Sequence, residues 1–105
     1  MESAVFKALA HPARREVMAL LRNGARTSGE LAEVFDIAWP TVSRHLAVLK
    51  DANLITAEKV GTSVIYRANA SVLEEAAAML FSLVGRKSEI HGKKILRSRT
   101  AKGST

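Results

Sequence analysis

Residues 27–53, TSGELAEVFDIAWPTVSRHLAVLKDAN, decide how this chain is read. Leu31, Val34 and Phe35 recur at i, i+3, i+4, and Val42, Leu46 and Leu49 at i, i+4, i+7. Each half therefore carries the apolar stripe of a short amphipathic helix. Thr27 and Glu30 have capping-box spacing: the hydroxyl accepts from an early backbone N–H and the carboxylate reaches back to the cap. Trp39-Pro40 opens the second helix, where proline fits because its missing N–H would have no intrahelical partner. Asp36-Ile37-Ala38 between them allows only a sharp reorientation. The pattern is a helix-turn-helix whose second helix is free to enter a DNA major groove.

Thr41, Ser43 and Arg44 fall near the start of that second helix and off its apolar stripe. Short hydroxyls permit close approach, and arginine can donate twice to guanine O6/N7. Trp39, Pro40, His45 and Lys50 complete the candidate DNA contacts on this helix. His45 lies three residues after Val42, so partial burial and DNA contact both fit it. An ordinary helical hairpin with a solvated face would show the same stripes, and the flanking segments must discriminate.

Upstream, residues 2–10 place Val5, Phe6 and Leu9 on one side of a first helix, which His11-Pro12 breaks. Residues 12–22 form a second helix with Val17, Leu20 and Leu21 inward, ended by Asn23-Gly24. Ala25-Arg26 adds a brief strand. Downstream, residues 54–60 and 63–69 alternate Ile55/Ala57 and Val64/Tyr66 around Gly61-Thr62, which reads as a β-hairpin. Lys59 and Arg67 flank it as phosphate candidates, and Gly61-Thr62 lets the tip approach DNA. Ser71 is expected to cap a last helix with Glu74 and Glu75 in its first turn. Leu73, Ala76, Ala77, Leu80, Phe81 and Val84 cover more than one stripe of that helix, so another surface must cover it.

In order along the chain, VFKALAHPARREVMALL, GELAEVFDI, TVSRHLAVLKDANLI and the short basic hairpin resemble the ArsR-type winged helix-turn-helix repressors over residues 5–83. The resemblance implies a mainly α, α+β fold with a small β-hairpin wing, and a bacterial, cytoplasmic, operator-binding homodimer. It implies that the helices at both ends make the two-fold interface, through Val5, Phe6, Leu9, Leu73, Ala77, Leu80, Phe81 and Val84. Residues 1–85 would be the DNA-binding and dimerisation domain, with double-stranded DNA and a second copy as partners. Asn53 stands where the family usually has glycine, and asparagine is the next-best residue for a positive φ.

Metal sensing is common in that family, but its ligands are absent from the matching positions. Residues 30–33 hold no cysteine where a thiolate pair is usual, and residues 71–84 hold no histidine. His11, His45 and His91 lack ligand spacing. No metal and no cofactor are expected; a metal-responsive repressor with an atypical histidine site is the alternative, and no effector, small molecule or protein, is assigned. Enzyme chemistry finds no thiol, no phosphate-cradling glycine loop and no Ser/His/Asp arrangement. The rival from another class is a winged helix used as a protein-interaction module, for which Trp39 would be the anchor.

Charge and length set the outer bounds. The chain of 105 residues holds one small domain. Its net charge of +6 lies wholly in residues 86–105, expected to be a flexible basic tail, while residues 1–85 are balanced. There is no cysteine, and no signal peptide or membrane-spanning run is read.

Overall fold

The computed structural model describes residues 2–85; the expectation of a flexible tail over 86–105 lies outside them. The chain divides into two units after Leu73. The first holds α1 (Glu2–Ala8), α2 (Pro12–Leu21), β1 (Arg26–Thr27), α3 (Ser28–Val34), α4 (Trp39–Asp51), β2 (Ile55–Val60) and β3 (Ser63–Ala68), in that order. The last helix, α5 (Ala70–Val84), begins in the first unit and supplies the described part of the second.

The core of the first unit is built from the stripes. Leu31 of α3 and Val42, Leu46 and Leu49 of α4 are buried, with Val17, Met18 and Leu21 of α2 beside them. Met18 takes the inward place expected of Leu20, which is half-buried. Val34 is 44% exposed, because α3 ends there and Phe35 is already extended. Val5 and Ala8 of α1 also belong to this core.

Local chemistry sets the ends of the motif helices. Thr27 Oγ1 accepts from Glu30 N–H at 3.1 Å, and Glu30 Oε1 accepts from Thr27 N–H at 2.8 Å, completing the capping box. In α4 the first residue is Trp39 and Pro40 is the second. Its far end closes with two backbone bonds, Leu54 N–H to the Leu49 carbonyl (3.0 Å) and Asn53 N–H to the Lys50 carbonyl (2.9 Å). Asn53 has φ +63°. This is a Schellman motif: the left-handed residue reverses the chain, and Leu54 lands on Leu49 as the accompanying apolar contact, both 0% exposed. That closure takes Leu54 out of β2, which starts at Ile55.

The sheet is antiparallel with order β1-β3-β2. β2 and β3 pair from Ile55↔Ala68 to Val60↔Ser63, leaving Gly61-Thr62 as a two-residue loop. Gly61 has φ +62° and Thr62 is not among the positive-φ residues, the pattern of a type II′ turn, which matches strand twist. β1 joins the other edge of β3 through Arg26↔Tyr66 and Thr27↔Ile65.

Two expectations for the last helix are corrected. α5 starts at Ala70, and its first helical bond runs from Leu73 N–H to the Asn69 carbonyl (3.4 Å), so Ser71 lies inside the helix instead of capping it. Glu74 and Glu75 consequently fall beyond the first turn.

Candidate nucleic-acid interface

The buried side of α4 fixes which residues face outward. With Val42, Leu46 and Leu49 inward, 100° per residue places Pro40, Arg44 and Ala47 opposite them, with Ser43 and Lys50 on one flank and Thr41 on the other. Exposure follows this geometry: Pro40, Ser43, Arg44, Ala47 and Lys50 are exposed, and Thr41 is half-buried. Ala47 was absent from the expected contacts, although its i+3 spacing from Arg44 signalled it; a small side chain there leaves room for close approach to base edges. Trp39 is 38% exposed at the leading end. Ala38 offers no side-chain cap, so the positive end of the α4 dipole is left toward solvent, where a phosphate would be favoured.

His45 does not share that surface. It is half-buried, its ring stands 4.4 Å from that of His11, and its Nδ1 is sealed from solvent with no hydrogen-bond partner among the described residues. Desolvation lowers its pKa below the ordinary 6.5, and the charges of His11, Arg14 and Arg44 lower it further. His45 therefore supports α4 from behind, against the start of α2. There His11 Nδ1 accepts from Ala13 N–H at 3.1 Å and caps that helix.

The hairpin divides its charges between two faces. Register places Lys59 on the face of Ile55, Ala57, Val64 and Tyr66, while Arg67 lies with Thr56, Glu58 and Ile65 on the other. Arg67 Nη1 donates to Glu58 Oε1 at 2.9 Å, so its charge is already shared. Lys59 and Arg67, the two phosphate candidates, thus face opposite ways, and Lys59 is left as the unpaired hairpin cation among the described residues. Arg26, half-buried and paired across from Tyr66, lies on the Lys59 face. Local pattern had no means of revealing this, since it depends on β1 joining β3. Gly61 and Thr62 are exposed at the tip, and a Cβ at Gly61 would meet nothing within 4 Å, so the turn is open to an approaching partner.

A helix-turn-helix domain family model matches residues 9–58, ending within β2. The transcriptional repressor SdpR of Bacillus subtilis is 35% identical over 82 residues, covering 78% of this chain and 91% of that protein. A crystal structure of an ArsR family transcriptional regulator superposes with TM-score 0.67 at 30% identity, over 82% of this chain and 92% of that one. An ArsR-like transcriptional regulator from Rhodococcus sp. RHA1 gives TM-score 0.71 at 26% identity, over 80% and 79%. This chain belongs to the ArsR family. As in that family of DNA-binding transcriptional repressors, α3 and α4 form the helix-turn-helix and the β2–β3 hairpin forms the wing.

The residues expected at a dimer surface differ in exposure. Val5 is 2% exposed and packs into the core of its own unit, which removes it from that surface. Phe6 and Leu9 are half-buried. Along α5, Leu73, Leu80, Phe81 and Val84 are 38%, 51%, 45% and 62% exposed, and Ala77 is exposed too. Met79 and Leu83, absent from the expected set, add 38% and 71%. Among the described residues no group of three or more His, Cys, Asp or Glu side chains gathers as a metal site, and no helix is long and apolar enough to cross a membrane.

Proposed function

We propose that this ArsR-family chain acts as a homodimeric repressor that reads a palindromic operator. In this reading Ser43, Arg44 and Ala47 of α4 meet base edges, while Lys50 and Lys59 hold phosphates. The observation that carries the reading is the polarity of α4: its apolar stripe is spent entirely on the core, and a face of small or hydrogen-bonding side chains around Arg44 is left outward. The exposed apolar length of α5 supports a second copy as partner, since an isologous interface brings two copies of one patch together. Two α4 helices then fall about one DNA turn apart, the spacing of operator half-sites. SdpR and other relatives are named as repressors, which supports that sign of regulation. The chain has no cysteine, which supports a repressor that works without a thiolate metal site, in the cytoplasm where its operator would be.

Selection of bound sequences from random duplexes with the full chain tests this reading. Enrichment of an inverted repeat is expected. Absence of any enriched sequence would overturn it and turn attention to the exposed Val34, Ile37 and Trp39 as a protein-docking surface.

A further inference from the structure

We propose that a hollow of about 580 Å³ in the first unit, between α2, the end of β3 and the start of α5, binds a small anionic amphiphile: a carboxylate on a hydrocarbon or aromatic body. Its size falls within the roughly 300–1,000 Å³ usual for small-molecule sites. Met18, Leu21 and Leu73 give it apolar walls, and Arg15, Arg22 and Arg67 are the charged residues among its lining. Among the described residues no carboxylate lines it.

The three arginines are not equally available. Arg67 shares its charge with Glu58. Arg15 Nη1 donates to the Leu9 carbonyl at 2.8 Å, which orients the group without neutralising it. Arg22, at the C-cap of α2, makes no ion pair among the described residues and is the strongest partner for an anion. The α2 carbonyl end opposes an anion with roughly half a charge, which the full charges of Arg15 and Arg22 exceed. Charge also selects the occupant. Residues 86–105 carry seven Lys/Arg against Glu89 alone, so the chain's own tail would be repelled. A free carboxylate with an apolar body satisfies walls and rim together.

Arg67 and Ala68 belong to wing strand β3. An anion at this rim competes with Glu58 for Arg67 and so acts on the wing. This coupling, unlike binding itself, rests on the DNA-binding reading above.

Binding is tested without DNA, by calorimetric titration of the full chain with decanoate and decan-1-ol. Saturable uptake of one decanoate per chain is expected, with decan-1-ol at least about tenfold weaker, the size of a charged hydrogen bond. Arg22→Gln should weaken decanoate about tenfold on the same grounds, and Ala19→Trp, which fills the hollow from an exposed α2 position, should abolish binding. Circular dichroism on both variants verifies that the helices are intact. No saturable binding, equal affinity for the alcohol, or unchanged binding in both variants would overturn the site. So would loss of binding in step with dimer formation, which would give the hollow to a second copy. Decanoate that binds but leaves operator affinity unchanged would overturn only the coupling.

Discussion

The imidazoles of His11 and His45 lie with centroids 4.4 Å apart and planes tilted by 53°, joining the cap of α2 to the buried flank of α4. Arg14 is near enough for its charge to act on His45, and its Nε is sealed from solvent without a partner among the described residues. Burial strips water from a protonated His45, and the positive charges of His11, Arg14 and Arg44 add to that cost, which is why its pKa lies below 6.5. A base whose pKa is depressed by folding binds fewer protons in the native state, so stability rises with pH between the two values. It is complete above about 6.5 and declines as pH falls toward the lower, folded-state value. Thermal midpoints measured from pH 7.5 to 5 should therefore fall, and His45→Gln should flatten that decline; equal slopes for both proteins would remove His45 as the cause.

Arg44 stands at the centre of the outward face of α4, opposite Val42, Leu46 and Leu49. Arg44→Ala should cost about 1 to 3 kcal/mol in operator affinity and relax preference at one base pair, as expected for a bidentate guanine contact. Competition binding with operator and random duplexes makes the distinction: an equal loss on both would reassign Arg44 to phosphate.

Asn53 holds the left-handed position that lets Leu54 meet Leu49. Asn53→Gly should leave stability within about 0.5 kcal/mol, because glycine adopts this conformation freely. Asn53→Val forces a β-branched residue to φ +63° and should cost about 1 to 2 kcal/mol in urea unfolding. A neutral valine would mean that the turn relaxes to another closure.

Phe81 and Leu80 are large, apolar and exposed on α5. Phe81→Glu or Leu80→Glu puts a charge where the proposed interface would be dry, at a cost of several kcal/mol unless it is paired. Sedimentation should show a wild-type dimer and a dissociated, still helical variant. A wild-type monomer at micromolar concentration would sink the two-fold model.

The helix-turn-helix was readable because its determinants are local. The Thr27/Glu30 box, the Val42/Leu46/Leu49 stripe and Asn53 each act within one or two turns of helix, and all three stand where their spacing places them. The residues whose surroundings were not legible depend on distant partners. Periodicity showed that Val5 lies on an apolar face but not that its own core, rather than a second copy, covers it. Arg67 looked like a free cation until strand register brought Glu58 to its side. His45, three residues after Val42, could be sorted only by knowing that the His11 ring packs against it at a tilt.

Thr27 is at once the last residue of β1, paired with Ile65, and the cap of α3. One residue therefore anchors the wing and starts the helix-turn-helix, with no slack between them. An inserted residue there would either slip the strand register, exchanging its two faces, or detach the cap. The Gly61-Thr62 tip has no such double duty. As lineages of this fold diverge, changes in length should accumulate at the tip, letting reach along DNA vary while the joint at Thr27 keeps its length.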